Sequence, residues 1–274
     1  MQSFKGVPLL VTGAGRGIGK RLAIGFAAKG ARVGLLARSK AELDLCHLEI
    51  EHAGGSALRL RTDVSDYEQM CAAVERMRVH FSKPVQVMIC AAAAQGPIGP
   101  FVESSPKAWS ELLQTNLIGV MNACRAVLPQ MIERRSGKII VLACGGASTG
   151  RMNFSVYAAT KAALARFVES VAAEVSEHNV QINSISPGDS YTHMTDQIIA
   201  AGERAGWRES EHAQQTRLTG GTPPDKQMDL AAFLASDQSN HVSGRLIGVM
   251  DDWKKLKTGT INPEQYTLRR IQKV

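Results

Sequence analysis

Aromatic residues and long apolar runs are both scarce in this sequence. Phe, Trp and Tyr make up 5% of its 274 residues, and no apolar run approaches the roughly 20 residues that a membrane-spanning helix needs. The chain also lacks the basic start, apolar centre and small-residue end that together mark a cleavable signal. We therefore expect a cytoplasmic protein with no membrane segment.

Cysteine and histidine are too scattered to suggest a metal centre. The five cysteines show no CxxC spacing, and their odd number argues against a disulfide framework. The seven histidines form no HExxH motif, so we predict no metal site. Basic residues outnumber acidic ones by 32 to 25, but no basic run is interleaved with aromatic residues, so we predict no nucleic-acid binding.

Short apolar runs alternate with helical patterns along most of the chain. This alternation predicts an α/β fold of the Rossmann type, a doubly wound parallel sheet of about seven strands in a three-layer α/β/α arrangement. No Pro/Ser-rich linker or repeat divides the chain, so we expect a single dinucleotide-binding and catalytic domain over residues 1–250. The strand-like runs lie near residues 7–11, 32–37, 57–61, 84–90, 138–143, 180–186 and 245–249.

A glycine-dense turn, TGAGRGIG at residues 12–19, follows the first of these runs. Gly13, Gly17 and Gly19 let the backbone approach a phosphate closely, and the positive N-terminal end of the next helix favours an anion. Their spacing does not fit the general Gly-x-Gly-x-x-Gly fingerprint. The position of the turn, between a strand and a helix, still predicts nucleotide binding.

Tyr157 and Lys161 stand four residues apart in VYAATKAAL, which places them on one face of a helix. A free phenol ionises at about pH 10, but a cation a few ångström away lowers its pKa. The pair therefore indicates a general acid or base. By itself, the same spacing is also typical of a solvated helix face.

Together these motifs resemble the short-chain dehydrogenase/reductase family over about residues 5–250. TGAGRGIG resembles the family's cofactor turn, and Tyr157 with Lys161 resembles its YxxxK pair. The resemblance implies an NADP(H)-dependent oxidoreductase that transfers a hydride between nicotinamide and a carbonyl or secondary alcohol. It continues in chain order through RTDVSD, QTNLIGVMN, SPGDSYTHM and FLASDQSNHVSGRLIG.

Residue roles follow from the same resemblance. Tyr157 would supply the proton and Lys161 would also hold the nicotinamide ribose. Asn116 would interrupt its helix and hold a water linked to Lys161, while Asp63 would contact the adenine and Thr192 the carboxamide. The expected cofactor-binding residues are Gly13, Arg16, Gly17, Ile18, Gly19, Arg38, Asp63, Val64, Ala91, Ala92, Tyr157, Lys161, Pro187, Gly188 and Thr192.

Two arginines favour NADP over NAD. An acidic residue at the end of the second strand would accept the ribose hydroxyls of NAD, but this chain has Ala37 followed by Arg38. Arg38 and Arg16 can clamp the extra phosphate of NADP by charge-assisted hydrogen bonds. The alternative is a pair of ordinary surface arginines.

The sequence departs from the family pattern at two points. The family's substrate-binding Ser stands 13 residues before the Tyr, a position that Cys144 holds here. A thiol is a weak hydrogen-bond donor, so Cys144 is either a working member of the catalytic set or a small space-filler. The family's NNAG is Cys-Ala-Ala-Ala at residues 90–93, where we expect apolar packing instead. These losses keep open a second function, a cofactor-binding sensor or scaffold with little or no catalysis.

The segment 189–222 has the length of a substrate lid. Its apolar side chains either line the pocket or only anchor the lid; they are Met194, Ile198, Ile199 and Trp207. The substrate is expected to be a small carbonyl compound or a 3-oxoacyl chain on an acidic carrier protein. The net charge of +7 and the basic pair Arg134 and Arg135 favour the carrier.

A basic extension, residues 251–274, continues past the usual end of the family. Trp253, Tyr266, Leu268 and Ile271 give it apolar surface to bury, so we expect an arm over a neighbouring subunit. A docking strip for an acidic partner and a solvated tail are the alternatives. The resemblance implies a homodimer or homotetramer, assembled through the helices near residues 107–135 and 156–177.

Overall fold

The computed structural model describes residues 3–259, 262 and 264–269. Within these residues, seven parallel strands form one sheet in the order β3-β2-β1-β4-β5-β6-β7. The predicted strands and the Rossmann-type fold are confirmed. The strands are β1 (Pro8–Thr12), β2 (Arg32–Ala37), β3 (Ser56–Arg61), β4 (Val87–Cys90), β5 (Gly137–Leu142), β6 (Val180–Ser186) and β7 (Leu246–Gly248).

Helices cover both faces of the sheet because its central strands are apolar on both sides. The strands β1, β4 and β5 are buried along their whole length, as expected for parallel strands between two helical layers. One core cluster packs against α1, α2 and α9, and the other against α3, α5 and α6. The helices are α1 (Gly17–Ala28), α2 (Lys40–His52), α3 (Tyr67–Phe81), α4 (Pro106–Leu113), α5 (Gly119–Glu133), α6 (Ser155–Glu174), α7 (His193–Ala201), α8 (Trp207–Thr219) and α9 (Pro224–Leu234).

The strand order reverses between β1 and β4. The chain first builds β1, β2 and β3 toward one edge, and then returns to place β4 to β7 on the other side of β1. In such sheets a crevice opens outside the carboxyl ends of the strands at the point of reversal. The loops that follow β1, β4, β5 and β6 therefore meet there. None of the helices in the described part of the chain is long and apolar enough to cross a membrane.

The beginning of the C-terminal extension packs on its own subunit. Trp253 is buried and stacks on Phe233, with ring centroids 5.5 Å apart. Leu256 is buried beside it, and its carbonyl is hydrogen-bonded to the His241 ring at 2.8 Å. This differs from the expected arm over a neighbour, because the apolar side chains already find cover within the chain.

The later part of the extension covers the edge of the sheet. The Leu246 N–H of the last strand, β7, donates to the Tyr266 carbonyl at 2.8 Å. Leu268 packs on a small apolar cluster that includes Ala165 of α6, and Arg269 forms an ion pair with Glu169 at 2.6 Å. Ile271, which the arm prediction also used, lies outside the described residues.

Candidate active site

A cavity of about 1100 Å³ opens at the carboxyl ends of the central strands. Ligand pockets commonly measure about 300–1,000 Å³, so this one has room for a dinucleotide. Asn116 is the one predicted site residue that does not line it. The predicted residues that do are Gly13, Arg16, Gly17, Ile18, Gly19, Arg38, Asp63, Val64, Ala91, Ala92, Cys144, Tyr157, Lys161, Pro187, Gly188 and Thr192.

The glycine turn forms one wall of the cavity and leads directly into α1. Gly13 has φ of 66° and Gly17 has φ of 59°, a left-handed conformation that favours glycine. A Cβ on Gly13 would lie 2.7 Å from the Ala92 nitrogen, so no larger side chain fits there. The close backbone and the adjoining helix N-terminus fit the pyrophosphate of a nicotinamide dinucleotide.

Thr12 joins this turn to the loop after β4. Its Oγ1 accepts hydrogen bonds from the Ala91 N–H at 3.0 Å and the Ala92 N–H at 3.1 Å. The expectation that residues 90–93 rely on apolar packing is therefore incomplete. A hydroxyl on the neighbouring strand fixes the two amides, and the sequence gives no signal for this because the partners stand 79 and 80 residues apart.

Both arginines at the predicted phosphate clamp have an acidic neighbour. Arg16 lies 3.4 Å from Glu42, and Arg38 lies 3.8 Å from Asp63. Glu42 also lines the cavity, although no sequence motif marks it as a site residue. Since the arginine side chains are mostly exposed, the pairs are weak, and both guanidiniums remain free to turn toward an anion.

Asn116 lies in a π-helical turn, Gln114–Ile118, between α4 and α5. The predicted interruption of the helix is thus present. The Asn116 side chain accepts from the Ala94 N–H at 2.8 Å and donates to the Ala94 carbonyl at 3.0 Å. It also donates to Thr160 of α6 at 3.4 Å. Asn116 therefore fastens the loop after β4 to the helix that carries Tyr157.

Tyr157 and Lys161 lie at the inner end of the cavity, 7% and 3% exposed. Lys161 Nζ donates to the Leu142 carbonyl at 2.9 Å and lies 5.6 Å from the centroid of the Tyr157 ring. Burial raises the pKa of Tyr157, and the neighbouring Cys144 raises it further, while Arg151 lowers it. Burial also lowers the pKa of Lys161. This differs from the expectation that Lys161 lowers the Tyr157 pKa, because desolvation is the larger effect and the ammonium is directed to a carbonyl.

Cys144 follows the end of β5 and lies beside both residues of the predicted pair. Its thiol is within hydrogen-bonding reach of Tyr157, a contact that contributes to the raised pKa of the phenol. Cys144 is partly exposed in the cavity. Cys144 and Tyr157 therefore face the same part of the cavity.

An ion pair that the sequence did not reveal closes the far side of the cavity. Arg151 donates to Glu209 of α8 through Nε at 2.8 Å and through Nη2 at 2.6 Å. The guanidinium carbon lies 4.0 Å from the centroid of the Phe154 ring. The two charges stand 58 positions apart in the chain, so only the fold brings them together.

The segment 189–222 supplies α7 and α8 on this side. Met194 and Ile198 line the cavity, and Ile199 packs on the apolar cluster around Tyr157. Trp207 is 69% exposed and does not line the cavity. The pocket interpretation therefore fits the first helix of the segment but not Trp207.

The family model for short chain dehydrogenases matches residues 8–202. The chain therefore belongs to the short-chain dehydrogenase family, whose members are oxidoreductases that use a nicotinamide dinucleotide.

Relatives with different substrates share this fold. Gluconate 5-dehydrogenase from Gluconobacter oxydans (strain 621H) is 32% identical over 250 residues, which cover 90% of this chain and 94% of the relative. The 3-oxoacyl-acyl-carrier-protein reductase of Escherichia coli (strain K12) is 30% identical over 247 residues, covering 90% and 97%. The crystal structure of levodione reductase matches with a TM-score of 0.82 and 25% identity, covering 92% of this chain and 98% of the other.

Proposed function

We propose that this protein transfers a hydride between NADP(H) and the carbonyl or secondary alcohol of a small substrate, with Tyr157 exchanging the proton. One observation carries the proposal. The buried Tyr157, with Lys161 and Cys144 beside it, shares a single cavity with a glycine turn that fits a dinucleotide. A scaffold without catalysis has no need of a buried proton donor in that place.

The chain's own residues handle the proton and the substrate oxygen. When bound, the nicotinamide supplies the hydride for reduction or accepts it in the reverse direction. Burial raises the pKa of Tyr157 and keeps the phenol protonated, and the nearby Lys161 ammonium favours the phenolate that remains once Oη has donated its proton to the carbonyl oxygen. Lys161 donates one of its three N–H bonds to the Leu142 carbonyl, and the other two can donate to the hydroxyls of a ribose.

Cys144 is proposed as a second donor to the same oxygen. Its thiol polarises a carbonyl less than a hydroxyl does, because S–H is a weaker donor than O–H. We therefore expect catalysis that is real but slower than an equivalent serine site would give.

The charges near the adenosine end favour NADP over NAD. Arg16 and Arg38 line the cavity with exposed guanidiniums that suit a phosphate. Glu42 and Asp63 offset part of that charge. Related crystal structures include the actinorhodin polyketide ketoreductase with NADPH at 25% identity and a 3-oxoacyl-acyl-carrier-protein reductase from Brucella melitensis with NAD at 28%, so relatives use either cofactor.

For the substrate, a small molecule has more support than a carrier-borne acyl chain. Arg134 donates to the Val85 carbonyl, and Arg135 donates to the Glu177 carbonyl at 2.5 Å. Neither lines the cavity. The 3-oxoacyl-carrier substrate therefore rests on the net charge of +7 and on the resemblance to the reductases.

Two features of the organisation remain proposals. We propose that residues 189–222 act as the lid, since α7 and part of α8 line the cavity and Arg204 ties the segment to Glu103 at 2.8 Å. We also propose a homodimer or homotetramer, the assembly that the family resemblance implies.

The decisive test is NADPH oxidation, followed by absorbance, against a panel of ketones and 3-oxoacyl thioesters. Tyr157→Phe is expected to lower kcat by about 10²–10⁴-fold, because the proton donor is lost, while NADPH binding measured by fluorescence is retained. Tyr67→Phe, which lies outside the cavity, is the matched control and should turn over normally. Turnover that is indifferent to Tyr157→Phe would defeat the mechanism.

A further inference from the structure

The part of the cavity beyond Tyr157 contains polar groups that the hydride transfer does not use. Arg151 and Gln95 both line it. Neither residue has a role in moving the proton or in holding the dinucleotide. Their hydrogen-bonding capacity therefore bears on what the substrate looks like.

The Arg151 guanidinium is held in place but only partly used. Glu209 takes the side formed by Nε and Nη2, and these are the hydrogen bonds that Arg151 makes with described residues. A guanidinium has five N–H donors, so three remain, two on Nη1 and one on Nη2. These lie together at the end of the side chain, in the fork that binds a second carboxylate bidentately.

Gln95 presents an unused donor in the same cavity. The residue is 3% exposed, and its Nε2 is buried without a hydrogen-bond partner among the described residues. A buried amide left unpaired weakens the fold unless something accepts its protons. Because Nε2 itself is closed off from solvent, a substrate oxygen in this cavity would satisfy it once the Gln95 side chain turns its amide toward the cavity.

We propose that Arg151 binds the carboxylate of a small oxo acid or hydroxy acid, and that Gln95 donates to another oxygen of the same molecule. This rests on the proposed function and names its substrate class. The guanidinium carbon lies 6.0 Å from the centroid of the Tyr157 ring. One small molecule can therefore place its carboxylate on Arg151 and its carbonyl or carbinol carbon at Tyr157.

Glu209 explains how the cation is kept in the cavity before the substrate binds. A guanidinium with no counter-charge would be costly to hold in a partly buried site. The Glu209 carboxylate removes that cost from one side and leaves the end of Arg151 available. The pair also lies against Phe154, whose ring face favours a cation.

The test compares acids with uncharged counterparts of similar size. We would measure NADPH oxidation with 5-keto-D-gluconate against D-fructose, and with acetoacetate against acetoacetamide. The wild type is expected to prefer the acid of at least one pair by tenfold or more in kcat/KM. Arg151→Gln should lower kcat/KM for that acid by about tenfold to a hundredfold, mainly through KM, and should change the neutral compound less than about threefold.

Glu209→Gln separates carboxylate binding from a purely structural role. It breaks the same ion pair but leaves the Arg151 fork, so the acid preference should persist. If both variants lower the acid and the neutral compound equally, Arg151 only holds the lid and the proposal is overturned. Arg151→Lys keeps the positive charge but lacks the guanidinium fork, so it should retain part of the preference for the acid. If thermal melting shows that Arg151→Gln does not fold, Arg151→Lys takes its place in the comparison.

A binding measurement keeps this proposal distinct from the proposed function. D-gluconate, titrated calorimetrically into the NADPH complex, should bind to the wild type and lose affinity in Arg151→Gln. Turnover of neutral ketones with no acid preference would overturn the carboxylate site and leave the oxidoreductase standing. Gluconate binding that depends on Arg151, without turnover of any substrate, would support the carboxylate site and overturn the proposed oxidoreductase activity.

Discussion

The two halves of the cavity are built in different ways. The cofactor half uses backbone: glycines at positive φ, the N-terminus of α1, and two amides that Thr12 fixes. The substrate half uses side chains from distant segments, above all the Arg151 and Glu209 pair between the loop after β5 and α8. The shape of the cofactor half depends on close backbone packing, which tolerates few substitutions. The substrate half depends on charged side chains, which can be replaced by others without changing the backbone.

The cofactor half corresponds to the ligand that all family members share, and the substrate half to the ligand that differs between them. A dinucleotide presents the same pyrophosphate to every relative, so a close backbone turn suits all of them. Substrates differ among relatives, as gluconate and 3-oxoacyl groups do, so the other half must change by side chains. Mutations should therefore affect the two halves differently.

The largest effect is expected in the cofactor half. Gly13→Ala forces a Cβ to within 2.7 Å of the Ala92 nitrogen, so the turn must shift. The affinity for NADPH should fall by about tenfold or more, which is the effect of losing one main-chain hydrogen bond to the cofactor. Gly54→Ala is the matched control, because Gly54 also has positive φ, 76°, but open space around it. Gly13→Ala should lower the free energy of unfolding by about 1–3 kcal/mol more than Gly54→Ala in urea melts. Equal losses would mean that only backbone strain matters.

A smaller effect, of opposite sign, is expected in the substrate half. Cys144→Ser supplies a stronger donor beside Tyr157 and should raise kcat by about tenfold, since one oxyanion-type donor can carry about 10²–10³. The dissociation constant of NADPH should not change. Cys144→Ala should lower kcat if the thiol donates. If steady-state rates are the same in all three proteins, Cys144 is a space-filler.

The smallest effect is expected at the adenosine end of the cofactor half, at the exposed Arg16 and Glu42 pair. Glu42→Gln removes the carboxylate that offsets Arg16 and should raise the preference for NADPH over NADH by about two- to fivefold, the size of a surface ion pair. Glu49→Gln is the control on the same helix, since Glu49 pairs with Lys20 instead, at 2.6 Å. A preference that falls in Glu42→Gln would count against the phosphate clamp.

The same division decides how much the sequence could predict. The strands and the glycine turn follow from local patterns, because strand burial and positive φ depend on neighbouring residues. Tyr157 and Lys161 were found because one helical turn joins them. Their side-chain environment was harder to infer: the sequence shows a cation four residues away, whereas burial sets the pKa of the phenol.

Residues that act through distant partners escaped prediction. Thr12 and Arg151 carry no local motif, and each meets its hydrogen-bond partner only because the fold brings a distant segment near. The C-terminal extension shows the same limit. Of the apolar residues on which the arm prediction rested, Trp253 is buried and Tyr266 and Leu268 are half-buried, and the surface that covers them belongs to the same chain.

That extension has a consequence for how the protein meets its neighbours. The strand β7 is the exposed end of the sheet, and its Leu246 N–H is spent on the Tyr266 carbonyl. An unpaired outer strand is a template on which other chains can add strands and aggregate. The Tyr266 carbonyl therefore occupies a backbone N–H of the outer strand to which another chain could otherwise bind.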